Sequence, residues 1–124
     1  MVTEQYVSFE TAKLLKEKGF DAPVYRFYDD EGVVCEKHIE PQSKCKSWTF
    51  PCPTQQMALR WLRERWDVYV EISIDYPQGF RDNKHRHIFR YTVYNGNVDC
   101  MFERDGFATY EDAAENVIVE ILKR

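Results

Sequence analysis

Long apolar runs are missing from this 124-residue chain. No window approaches the ~18 consecutive apolar residues of a membrane-spanning helix, and that class of segment is excluded. The opening residues, MVTEQYVSFE, lack the apolar stretch of a secretion signal, so a soluble cytoplasmic protein is expected. Glycine is scarce too. The five glycines are scattered among turns, which leaves neither a phosphate-cradling loop nor a nucleophile elbow, and no cofactor is expected. Basic excess is also absent: 17 Lys and Arg stand against 21 Asp and Glu, giving a formal charge of -4. An acidic balance without charge runs makes a nucleic-acid partner unlikely by composition.

What is present is a core. Apolar residues make up 44% of the chain, with eight Tyr, eight Phe and three Trp, enough for one domain over residues 1–124 without covalent staples. The four cysteines, Cys35, Cys45, Cys52 and Cys100, are expected as reduced thiols because nothing marks the chain for secretion.

Cap chemistry and periodicity divide the chain. Ser8 precedes FETAKLLKEKG, which predicts a helix over about 9–18 with Gly19 beyond its end. Two β-prone runs around DDEG predict a hairpin, 24–28 with 33–39, whose buried face is ambiguous because Arg26 and Cys35 alternate against Phe27 and Val34. Residues 40–53 hold three prolines and no periodicity and read as a long loop. Thr54 then caps a helix over 55–66. DVYVEISIDY alternates well, with Val68, Val70, Ile72, Ile74 and Tyr76 to one side and Tyr69, Glu71, Ser73 and Asp75 to the other. RHIFRYTVY and VDCMFE follow as strands joined through NGN. Thr109 with Asp112 resembles a capping box and opens a last helix whose Tyr110, Ala114, Val117, Ile118, Ile121 and Leu122 cluster on one side. The fold class is therefore α+β, an antiparallel sheet with three helices in the order α-β-β-α-β-β-β-α.

The stretch FPCPTQQMALRWLRERW concentrates arginine and tryptophan. On a helical wheel Met57, Ala58, Leu59, Trp61, Leu62 and Trp66 form a broad apolar arc, while Arg60, Arg63 and Glu64 lie opposite. Arg65 alone falls among the apolar residues, where its stem packs and its guanidinium reaches solvent or a carboxylate. This pattern favours a core helix with a solvated outer face. The competing reading is a nucleic-acid binder using Arg60, Arg63 and Lys46.

Three blocks, YVSFETAKLLKEKGF, PTQQMALRWLRE and TYEDAAENVIVEIL, together resemble an uncharacterised family of small proteins encoded by gut bacteria, their prophages and their phages. The resemblance covers about a third of the chain and carries no activity, cofactor or site residue with it. It implies a setting, an accessory protein of a mobile element or phage in the bacterial cytoplasm.

Two clusters bear on metal or catalytic chemistry. Cys35, His38, Cys45 and Cys52 offer four soft ligands, but Cys35 and His38 stand three apart on an expected strand and so face opposite ways, a poor zinc spacing. His85 and His87, with Asp82, fall where a polar loop meets a strand, a common place for solvated histidine. A small metal-dependent enzyme is thus the weaker alternative, and neither catalytic nor metal residues are assigned. The outward face of the three-stranded segment is the most informative surface, with Tyr69, Glu71, Ser73 and Asp75, then Ile88, Arg90, Thr92 and Tyr94, then Asp99, Met101 and Glu103. Tyrosine and arginine concentrate in binding hot spots, so Tyr69, Arg90 and Tyr94 are the candidate contacts of a non-enzymatic module that binds a partner protein.

Overall fold

Hydroxyl caps set the three helices. In the computed structural model, which describes residues 4–36, 40–42, 46–75 and 88–124, α1 spans Phe9–Glu17, α2 spans Gln55–Trp66 and α3 spans Tyr110–Leu122. The side chains of Ser8, Thr54 and Thr109 accept from the N–H groups of Thr11, Met57 and Asp112, satisfying donors that the first helical turn leaves without partners. Beyond α1, Gly19 takes φ 85, the left-handed geometry that ends a helix at least cost in glycine.

The strands fall into two antiparallel sheets. A small one runs β2-β1-β3, built from β1 (Phe27–Tyr28), β2 (Val34–Cys35) and β3 (Phe50–Pro51). A larger one runs β4-β5-β6, built from β4 (Tyr69–Asp75), β5 (Ile88–Tyr94) and β6 (Cys100–Phe107). The α+β class with three helices stands, and the observed order is α-β-β-β-α-β-β-β-α. The added strand, β3, lies inside the expected loop. It pairs Phe50 with Tyr28 and Pro51 with Phe27, and a two-residue strand ending in proline leaves no alternation to read.

The first hairpin is shorter than its β-prone runs. Asp29 Oδ1 accepts from the N–H groups of Glu31 and Val33 and closes the turn, and Phe27 is the residue that turns inward. The expected end of its second strand, residues 37–39, lies outside the described residues.

One hydrophobic cluster joins the layers. Leu15 of α1, Trp61 and Leu62 of α2, Ile118 and Leu122 of α3, and Tyr91 and Val93 of β5 all belong to it. Trp61 is 5% exposed, packs at a tilt against the rings of Phe20 and Trp66, and donates its indole N–H to Asp21 Oδ1 at 2.9 Å. The expected apolar arc of α2 is therefore core, with one exception: Met57 is exposed at its margin. Tyr110 is likewise at the surface, whereas the other five apolar residues named on α3 are buried.

A polar hub ties the helices together. The Glu115 carboxylate on α3 accepts from the backbone and hydroxyl of Ser8, from the Thr11 hydroxyl and from Gln55 Nε2, so one side chain spans α1, α2 and α3. Thr11 and Gln55 are buried; Glu115 shares in satisfying them, with the Ser8 hydroxyl beside Thr11 and the Glu111 carbonyl accepting from Gln55.

Candidate functional site

Alternation on β4 and β5 fixes which side chains leave the core. Val70, Ile72, Phe89, Tyr91 and Val93 turn toward the helices, and Tyr91 donates its hydroxyl to Asn116 Oδ1 on α3 at 2.8 Å. Their neighbours necessarily occupy the opposite face. Register then sorts that face into rows across the strands. Tyr69 stands opposite Tyr94, which stands opposite Cys100; Glu71 stands opposite Thr92, which stands opposite Glu103; Ser73 stands opposite Arg90. Tyr69, Arg90 and Tyr94 share this face.

Two irregularities on β6 shape this face. Between Val93 and Tyr94 the partner strand advances from Phe102 to Cys100, so Met101 is an extra residue. Between Phe89 and Tyr91 it advances from Phe107 to Arg104, which places Asp105 and Gly106, the latter at φ 92, against Arg90. The first irregularity changes an expectation. Simple alternation from Asp99 through Met101 sends Cys100 inward, whereas the register sets it beside Tyr94 with its thiol exposed. Asp99 itself belongs to the loop before β6. A bulge of this kind leaves no pattern in a strand this polar.

The side chains of the face are held from several directions. Tyr69, 43% exposed, donates its hydroxyl to Asp67 Oδ1 at 3.0 Å, and that bond raises the phenol above its ordinary pKa. Asp67 ends α2 in the left-handed region, φ 54, and its carboxylate lies against the backbone of Gly96, where an added Cβ would stand 1.7 Å from Oδ2. Arg90 donates to Glu103 Oε2 at 2.7 Å. The hairpin tip beyond Tyr94 is tied by Asn95 Oδ1, which accepts from the N–H groups of Asn97 and Asp99.

Two arginines of α2 are paired with carboxylates. Arg60 pairs with Glu64 at 2.9 Å within the helix, and Arg65 pairs with Asp21 at 2.6 Å. Lys46 lies over the ring of Trp48, in a turn fastened by the Lys16 ammonium, which donates to the carbonyls of Lys46, Ser47 and Thr49. That clamp holds Trp48 at 51% exposure, an aromatic surface residue that the reading of the loop by its prolines did not single out.

Of the cysteine and histidine clusters, His38 and Cys45 lie outside the described residues, as do Asp82, His85 and His87. Cys35, Cys52 and Cys100 are free thiols. Cys52 is 1% exposed, and burial pushes its thiol pKa up, with the Tyr28 phenol and Arg26 opposing that rise in part. A thiol kept protonated is a poor nucleophile and a poor metal ligand. An open cleft of about 600 Å³ near Glu115 is lined by carboxylates, hydroxyls and the Phe107 ring, and its central carboxylate is committed to the helix hub.

No protein-family model matches the chain, and no curated protein or solved structure matches it. Among the described residues no helix is long and apolar enough to cross a membrane.

Proposed function

We propose that the chain is a non-enzymatic protein-binding module whose contact surface is the outer face of β4, β5 and β6, centred on Tyr69, Arg90 and Tyr94. The row Tyr69, Tyr94 and Cys100 carries this reading, because it sets two tyrosines and a thiol side by side across three strands on the side of the sheet away from the helices. Tyrosine delivers large contact area for little lost side-chain freedom, and arginine adds directed hydrogen bonds, which is why both recur in hot spots. The resemblance of the three sequence blocks supports reading such a module as a cytoplasmic accessory protein of a bacterial mobile element or phage.

Cys100 supplies the test. Capture from bacterial host lysate is compared for the wild type, the triple variant Y69A/R90A/Y94A and the double variant R60Q/R63Q, each shown to be folded by circular dichroism. The partner is expected to be lost with the triple variant, retained with the double variant, and able to shield Cys100 from alkylation. Capture that survives the triple variant, or that fails with the double variant, overturns the reading.

A further inference from the structure

The outer sheet face is chemically lopsided. Its two cross-strand carboxylates, Glu71 and Glu103, stand in one row on either side of Thr92, roughly 10 Å apart at the usual strand spacing. Arg90 bonds Glu103, so the cation of the face is spoken for. Glu71 is exposed and has no ion pair among the described residues. Beside it runs the aromatic row. Tyr69 is its neighbour two positions along β4, and Tyr94 lies diagonally across on β5, a separation that long side chains bridge. The Tyr69 ring is steadied through its hydroxyl by Asp67, a second carboxylate at the same corner. The opposing charge at this corner is Arg63, close enough to the Tyr69 phenol to lower its pKa against the larger effect of Asp67.

We infer that Glu71 and the Tyr69–Tyr94 pair form a receptor for a basic side chain, lysine or arginine, projecting from the partner protein. Aromatic rings attract a cation through their quadrupoles, and an adjacent carboxylate with no salt bridge among the described residues supplies the countercharge. Aromatic surfaces alone would accept many partners. The carboxylate selects for positive charge. This inference rests on the outer face being the binding surface and specifies what that face binds.

Blocked hexalysine and hexaglutamate peptides are the probes, titrated into the ¹⁵N-labelled full chain at low and physiological salt. Hexalysine is expected to shift the amides of residues 69–73 and 92–94, with affinity falling as salt rises. E71Q is expected to weaken it by about threefold or more, and Y69A/Y94A to weaken it as well. R63Q moves the other way. Removing the competing guanidinium strengthens a cationic guest, whereas in a nucleic-acid site the same change weakens binding. Shifts confined to the carboxylates near Glu115, no shifts, or affinity indifferent to E71Q each overturn the inference. If a captured partner shields Cys100 yet binds E71Q as well as wild type, the face remains the interface and only the basic-residue receptor fails.

Discussion

Val98 is held in a conformation that suits its side chain poorly. It has φ 65, a left-handed geometry that a β-branched residue adopts at a cost of about 1–2 kcal/mol, and it is 78% exposed. Sequence signals locate the turn here through Asn-Gly, but Gly96 does not take the positive φ. Its lack of a side chain serves the Asp67 carboxylate pressed against it, and the left-handed position falls two residues later. Asparagine tolerates that geometry without adding glycine's freedom to the unfolded chain. Val98→Asn is therefore expected to raise stability by about 1 kcal/mol in urea denaturation. An unchanged or lower midpoint would show that Val98 gains more from its surroundings than its exposure implies. The thiols give a second residue-scale test. Cys100 should react quickly with Ellman's reagent in the native protein and Cys52 only on unfolding, because one is exposed and the other is buried and resists ionisation. The same shift has a pH consequence. Above the thiol's ordinary value of 9.0 the unfolded chain ionises Cys52 while the folded chain keeps it protonated, so alkaline pH favours unfolding. Tyr28, whose phenol is also raised by burial, adds to the loss at higher pH. Stability should be intact below pH 9 and decline above it, and Cys52→Ala should flatten the onset of that decline.

At the scale of elements, legibility tracked how local the determining physics is. Ser8, Thr54 and Thr109 act within one turn of the helices they start, and all three helices were readable from them. The alternation on β4 and β5 is set by burial on one face, and it too was readable. The division into two sheets was not, because β3 owes its existence to β1, more than twenty residues away, and Phe50–Pro51 carries no periodic signal. Nor was the Glu115 hub, whose partners are separated from it by 60 to 107 residues. That hub makes a sharp prediction. Replacing Glu115 with alanine leaves the buried Thr11 hydroxyl with only the Ser8 hydroxyl and the Gln55 amide with only the Glu111 carbonyl, and hydrogen bonds to a charged acceptor contribute about 1.5–3 kcal/mol each. A loss of roughly 2–4 kcal/mol is expected, comparable to Trp61→Ala, for which large-to-small core changes give about 3–5 kcal/mol. If E115A costs under about 1 kcal/mol, water replaces the carboxylate freely and the three helices are not joined through it.

Across the whole molecule, charge bears on which of the two surfaces weighed from the sequence would suit a partner. Composition made the chain acidic but left open whether its basic residues gather in a stripe, since a helical wheel cannot show what lies across from each arginine in space. Among the described residues, Arg60 is held by Glu64, Arg65 by Asp21, and Lys46 sits over Trp48 on the turn fastened to α1. Nucleic-acid affinity grows with the number of phosphates neutralised together, and a lone arginine flanked by paired ones neutralises few. Exposed pairs such as Arg60–Glu64 also contribute little to stability, about 0.5 kcal/mol. The double variant R60Q/R63Q should accordingly denature within about 0.5 kcal/mol of wild type. In electrophoretic shift assays with single- and double-stranded DNA and RNA, wild type and variant should show the same weak retention, vanishing as salt approaches physiological strength. Sub-micromolar binding that persists at that salt and collapses in the double variant would favour α2 over the proposed sheet face, because only phosphate contacts made by those arginines would produce both effects.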